Sequence, residues 1–489
     1  MPPEVGGEPS TADLLDTSAA GPAAIRGGAV RVAAFAVGLL ASVGAFAVVA
    51  RHLGVDDTGR YALVLAIVTF VSGLSELGLT AIGVRELSVR TGEARDSLAR
   101  NLLGLRIVLS FVGGGAMVGF AAAAGYGGTV VAGVALGAVG LLVQGWQATL
   151  AIGLMSDLRL RWVAAFDFLR AVTTALLIVA LALAGAGLLP FLAVTIPVGI
   201  LVLALNALVV RGRMPLTPAF HPAEWRKLFV TVLPYSVAVA AATLYFQLAV
   251  IIVSLVASRH AVGYFGVSSR TIQILLILPS LSVGAAFPIF ARAARDDRQR
   301  LAYALGRVFE VSLVFGVLLS LCLAIGASVA IAVLGGSEFA PASSVLAIQG
   351  IGLAASFCAA VWSYGLLSLG RYGVILKINL TALFVGGILV GALATVDGAR
   401  GAAIATATAE VALAVLNGLA LARADRRLSP PLRAVAPVAA ATGLAVASTI
   451  VDLPVLASVV LAGTIYLIVI LALRALPEEL RVYLPSPLR

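Results

Sequence analysis

Fourteen long apolar runs in 489 residues leave almost no chain for anything except membrane spans. They cover 28–50, 61–83, 102–124, 129–155, 163–185, 188–210, 229–257, 261–290, 303–334, 342–369, 373–396, 400–422, 433–451 and 454–475. A helix needs roughly 20 apolar residues to cross a hydrocarbon core about 30 Å thick. Lipid offers the backbone no hydrogen bonds, so each run is expected to satisfy its own as a helix. The longer runs are expected to tilt or to protrude. With 61% hydrophobic and 11% charged residues, the chain falls in the membrane class.

Arginine placement predicts the topology. If the N-terminus is cytoplasmic, the inner loops hold Arg85, Arg90, Arg95 and Arg100, then Arg159 and Arg161, then Arg211, Arg213, Arg226 and Lys227. Arg292, Arg295, Arg298 and Arg300 follow, then Arg371, then Arg423, Arg426, Arg427 and Arg433. The outer loops 125–129, 185–190, 335–341 and 452–454 hold no Arg or Lys; Arg51, Arg60, Arg259 and Arg400 are the exceptions. This is the positive-inside pattern, and an even number of spans puts both termini in the cytoplasm. It also accounts for the net charge of +10. The basic residues are spread over short loops without interleaved aromatics, so nucleic acid is not an expected partner; anionic lipid headgroups are. Residues 1–27, with Glu4, Glu8, Asp13 and Asp16 among Pro, Gly and Ser, read as a disordered cytoplasmic tail, and 476–489 as a second tail. Cys322 and Cys358 fall inside spans as packing residues, and no Cys/His cluster suggests a metal or cofactor.

A weak internal repeat divides the chain. Arg51-His52-Leu53-Gly54 leads to Gly59-Arg60-Tyr61, and six spans later Arg259-His260 leads to Gly263-Tyr264. Each copy continues through an apolar span to an arginine-rich loop. An even offset gives both halves the same orientation. The expected fold is therefore an all-α integral membrane protein of about 14 transmembrane helices. Two six-helix bundles, 28–210 and 229–422, would be related by a pseudo-two-fold. A cytoplasmic linker at 211–228 joins them, and a loop at 423–432 leads to two additional helices at 433–475.

These residues also carry a resemblance. Arg51-His52-Leu53-Gly54 with Gly59-Arg60-Tyr61, Glu76-Leu77-Gly78-Leu79, Val84-Arg85-Glu86-Leu87, Ala261-Val262-Gly263-Tyr264, Leu369-Gly370-Arg371, and Gly398 to Thr406 with Glu410 occur in an order and spacing. That pattern resembles the polysaccharide (oligosaccharide) flippases of the multidrug/oligosaccharidyl-lipid/polysaccharide (MOP) exporter superfamily. The resemblance extends over about 28–475. It implies alternating access and a lipid-linked oligosaccharide as substrate, and it implies cationic residues in the cavity. It departs in the seventh span, where many relatives carry an Asp and this chain reads Phe246-Gln247-Leu248.

Charges inside spans are the candidate site residues, because each costs about 2.5–3.5 kcal/mol at mid-bilayer unless it faces a cavity or a partner. Arg270 lies about ten residues into the eighth run among Ser268, Ser269, Thr271 and Gln273. A guanidinium forks onto phosphate oxygens, so Arg270 is expected either to bind a pyrophosphate or to pair internally with Glu76 or Glu410. Arg31 and Lys377, near inner ends, either contact substrate or snorkel to the interface. Glu76 and Glu410 either couple an ion or hold helices together. Asp167 with Arg170, and Arg307 with Glu310, read as i,i+3 pairs. Gly115 and Gly119 read as a close-packing pair, and Pro279 as a hinge within the eighth run. There is no Walker A sequence, so a membrane gradient or substrate consumption is the expected driving force.

The expected function is flipping of a polyprenyl-pyrophosphate-linked oligosaccharide for surface polysaccharide synthesis at the cytoplasmic membrane. The pathway's glycan polymerase or glycosyltransferases are possible neighbours. A drug/cation antiporter would call for a carboxylate-rich cavity instead. A membrane glycan polymerase or glycosyltransferase would need a sizeable outer loop or clustered acids and His, and the outer loops are only a few residues long.

Overall fold

The computed structural model describes the backbone of residues 20–475 apart from 77, 158, 430 and 474. It describes side chains from 37 onward, apart from those four and residues 227–243, 285 and 432. The described helices are α1 Ala20–Glu76, α2 Leu79–Val89, α3 Gly92–Ala123, α4 Gly128–Ser156, α5 Leu160–Leu183, α6 Leu188–Ala193, α7 Thr195–Val210, α8 Pro222–Val256, α9 Arg259–Leu275, α10 Ile277–Asp296, α11 Arg298–Leu334, α12 Ala342–Ser368, α13 Tyr372–Ala424, α14 Val435–Ala447 and α15 Val455–Ala472. No strand occurs among the described residues, and the structure is that of an all-α membrane protein.

Helices and apolar runs do not correspond one to one, and the local chemistry explains why. Two helices each hold two spans. α1 turns at Gly54, with φ 71°, and α13 turns at Asp397–Gly398, with φ 50° at the glycine. Only a residue without Cβ takes such angles at little cost. Three single runs are broken instead. The second breaks at Gly78, where φ is 71°. The sixth breaks at Val194 and the eighth at Leu276. The last two follow from proline, whose ring clashes with the carbonyl four residues earlier. Pro197 ends α6 at Ala193, and Pro279 ends α9 at Leu275.

α3 packs on α4, α4 on α7, and α1 on α5 to form the first bundle. In the second, α11 packs on α12, α12 on α13, α13 on α8, and α9 on α12. α14 and α15 lie against α11 through a small core that includes Val314, Leu321, Val438, Ala441 and Tyr466. The Tyr466 hydroxyl donates to the Val314 carbonyl at 3.0 Å. α1 also touches α8 and α9, so it forms the boundary between the bundles.

Contacts between loops join arginine-rich loops to each other, and arginine-poor loops to each other. Arg95 reaches Asp157 at 2.5 Å. Glu310 is held by Arg307 at 3.0 Å and by Arg433 at 2.8 Å. At the arginine-poor end, His52 Nε2 meets the Ala186 carbonyl at 2.8 Å. The segment before α8 is strapped to the first bundle. Ala219 N donates to the Arg100 carbonyl at 2.9 Å, and His221 N to Asn101 Oδ1 at 3.2 Å. A Cβ on Gly104 would lie 1.9 Å from the Ala219 carbonyl oxygen, so the strap requires glycine there.

The expected close packing at Gly115 and Gly119 is not found, since a Cβ on either would meet nothing within 4 Å. The tight glycine approaches fall elsewhere, and one of them lies between the bundles.

Candidate functional site

α9 is positioned by a polar network on its buried side. Ser268 donates to Gln349 Oε1 at 2.6 Å, and Gln349 Nε2 donates to Ser269 at 3.1 Å and to Thr406 Oγ1 at 3.5 Å. Gln247 Nε2 donates to Gln273 Oε1 at 3.3 Å. These bonds tie α8, α9, α12 and α13 together. Buried amides and hydroxyls need partners, and once they have them they fix the rotation of a helix. Successive residues on a helix point about 100° apart. With Ser268 and Ser269 turned into the network, Arg270 is left half-buried. It makes no hydrogen bond or ion pair with any described residue, and the nearby Tyr61 of α1 feels its charge. Arg270 lies roughly 16 Å along α9 from Arg259, by the rise of 1.5 Å per residue. An unpaired guanidinium at that depth is stable facing water or an anion, not lipid.

The two acids that were alternative partners for Arg270 are engaged elsewhere. Glu76 closes α1 and receives the Thr80 N–H at 3.0 Å, across the break at Gly78. Its other oxygen lies 2.5 Å from Arg106 Nη2. Arg106 is almost fully buried and was missed in the sequence, although it is the lone charge in the run 102–124. Glu410 is buried and accepts a hydrogen bond from Ser356 at 2.7 Å. Lys377 is exposed near the start of α13 and has no bond to the Arg270 network. Arg31 lies outside the described side chains. Asp167 and Arg170 make no ion pair within 4 Å, because Arg170 donates to Gln147 of α4, but the two charges still act on each other, and Asp167 is exposed.

The two copies of the internal repeat meet. A Cβ on Gly59 would lie 2.9 Å from the Gly263 nitrogen, and a Cβ on Gly263 2.4 Å from the Val55 carbonyl oxygen. One turn further on, a Cβ on Gly266 would lie 2.6 Å from that of Ala62. The bundles thus touch backbone to backbone at the arginine-poor end. Tyr126 and Ser254 bridge the same end at 2.6 Å, and Arg51 donates to the Ala332 carbonyl at 3.0 Å. At the arginine-rich end a cavity of about 430 Å³ opens between α1, α5 and Ile277 of α10. Gly263→Leu is expected to force the closed end apart. In a protein with Cys322 and Cys358 changed to alanine, a cysteine at Ala66 should become more reactive to a membrane-impermeant maleimide added from that side. Gly115→Leu, where space is open, should leave it unchanged. Equal labelling of the two would show that this glycine contact does not restrict access from that side.

No curated protein matches the chain. Among solved structures, the lipid II flippase MurJ in an inward closed conformation is similar, with a TM-score of 0.75, 12% identity, and 90% of this chain and 97% of that one covered. An inward-facing multidrug resistance MATE family transporter of the MOP superfamily gives 0.66 and 15%, covering 80% and 95%. A MOP superfamily transporter from Pyrococcus furiosus, described by the reverse polarity of its binding pocket, gives 0.55 and 15%, covering 81% and 93%. At these identities the likeness is one of fold. Residues 48–344, more than half of the chain, match the family described as polysaccharide biosynthesis protein, and the chain belongs to that family.

Proposed function

We propose that this protein flips a lipid-linked oligosaccharide, joined through a pyrophosphate to a polyprenyl carrier, from the inner to the outer leaflet of the cytoplasmic membrane. Arg270 is the observation that supports this reading most. It is a half-buried guanidinium deep in a span, without an internal partner among the described residues, beside the boundary of two bundles. A pyrophosphate supplies the oxygens that a guanidinium binds in bidentate fashion. Membership of a polysaccharide biosynthesis family supports the same substrate class.

Residues 28–210 and 229–422 act as two bundles that rock about the strap at 211–228, with 433–475 beside them. Both termini are cytoplasmic, by the arginine pattern, so the Gly59–Gly263 contact closes the outer side and the cavity near Asp167 opens inward. Lys377 and Arg31, by their sequence positions near inner span ends, are assigned to meeting the anionic carrier at the inner mouth. Glu410, a buried acid that accepts a hydrogen bond from Ser356, is the candidate for ion coupling; Glu76, engaged by Arg106, is assigned to holding helices together. Enzymes that elongate the flipped glycan are the natural partners.

In cells lacking this protein, complete lipid-linked precursor is expected to accumulate on the cytoplasmic leaflet and to fall again when the gene is restored. Normal precursor levels in a strain with no second transporter of this fold would count against the flippase and favour the drug/cation antiporter.

A further inference from the structure

The carboxylate at Asp167, which makes no hydrogen bond or close ion pair with a described residue, is a group that a pyrophosphate clamp does not explain. It lies seven residues into α5, roughly 10 Å from the start of that helix. The cavity of about 430 Å³ at the arginine-rich end is lined there by Ser42 of α1, Met155 of α4, Val163, Asp167 and Phe168 of α5, and Ile277 of α10. That volume is in the usual range of small-molecule sites, about 300–1,000 Å³. A carboxylate at this depth in contact with lipid would cost several kcal/mol, and Asp167 lines this cavity instead. Arg170, its expected neutraliser, donates to Gln147 and makes no close ion pair with Asp167, although its charge still acts on the carboxylate.

We infer that Asp167 and Phe168 form a sugar subsite for the glycan head of the substrate; this rests on the flippase reading above. An ionised carboxylate is an acceptor alone and takes up to about four hydrogen bonds. Neighbouring sugar hydroxyls are donors spaced to bind its two oxygens together. The exposed Phe168 ring on the same wall offers a flat apolar face for the C–H side of a pyranose. Phosphate is excluded, because two anions repel, and a lipid tail has no use for a charge. Ile277 lies seven residues beyond Arg270 along the broken α9–α10 pair, so the site has two poles. The anionic linkage sits at Arg270, and the sugars extend toward Asp167 at the inner mouth. Specificity for the glycan then resides in the first bundle, and capture of the carrier in the second.

The test uses the purified full-length protein and three probes: the glycan-bearing lipid accumulated by cells lacking the protein, polyprenyl pyrophosphate without sugars, and a lipophilic cationic dye. Asp167→Asn keeps the shape and removes the charge. It should weaken the glycan-bearing lipid about tenfold, as for one charge-assisted hydrogen bond, and leave polyprenyl pyrophosphate unchanged. Phe168→Leu should act the same way. Thermal melting of both variants should match wild type, which separates a lost subsite from misfolding. If wild type prefers the glycan-bearing lipid and Asp167→Asn keeps that preference, the subsite is wrong and the flippase stands. Equal weakening of both lipids also overturns the subsite. If wild type binds neither lipid but binds the dye, and Asp167→Asn loses the dye, both readings fall and the carboxylate belongs to a cation antiporter.

Discussion

Arg270→Ala is expected to abolish flipping while leaving the protein folded and in the membrane. The side chain has no hydrogen bond or ion pair to lose among the described residues, so its removal leaves no buried acid uncompensated. The network that positions α9 runs through Ser268, Ser269 and Gln349 and stays intact. What is lost is the guanidinium itself. Two charge-assisted hydrogen bonds to a pyrophosphate are worth about 3 kcal/mol or more, which is roughly a hundredfold in affinity. Arg270→Lys keeps the charge without the fork and should fall between alanine and wild type. The measurement is inner-leaflet precursor in cells that carry each variant at equal protein level. Full restoration of transport by the alanine variant would assign Arg270 to packing, and the cationic pole would have to be sought at another residue.

Arg106→Met is expected to act in the opposite manner, on stability first and on transport only through it. Arg106 is almost fully enclosed, and it holds both Glu76 at 2.5 Å and the Ser75 carbonyl at 3.4 Å. Breaking a buried ion pair by removing one partner costs about 3–5 kcal/mol. The lower figure applies here, because the Glu76 side chain is 38% exposed and water screens part of the stranded charge. The helix break at Gly78 should suffer with it, since Glu76 also receives the Thr80 N–H that opens α2. The single variant should give low yield and a depressed melting temperature in detergent. Glu76→Gln combined with Arg106→Met removes both charges together and should recover most of the loss. Transport by that double variant would make the pair structural. A well-folded double variant without transport would make Glu76 the ion-coupling acid.

Much of the fold was legible in the chain because lipid leaves few choices. An apolar run has to be a helix, so spans and their order follow from local composition. The breaks were legible in part. Pro279 marked the eighth run, and the carbonyl it displaces belongs to Leu275, where α9 ends. Pro197 does the same at Ala193. Glycine was a poor guide, because its effect depends on what lies opposite. Gly115 and Gly119 have the familiar spacing and face open space, whereas Gly59 and Gly263, marked by the repeat, bring two backbones into contact.

Charge pairing was the part the chain could not specify. Asp167 and Arg170 are three residues apart, the spacing of a helical ion pair, yet Gln147 on another helix takes the arginine. Glu76 and Glu410 were each open to Arg270, but Arg106 and Ser356 reach them first. The sequence by itself determined that this is a multi-span helical membrane protein with two related halves, because hydrophobic length and arginine bias act residue by residue. Only the tertiary structure decided which buried charges neutralise one another and which are left without a close partner among the described residues. Electrostatic and hydrogen-bond partners are set by distance in space, and in a helical bundle that distance is fixed by which faces of which helices meet.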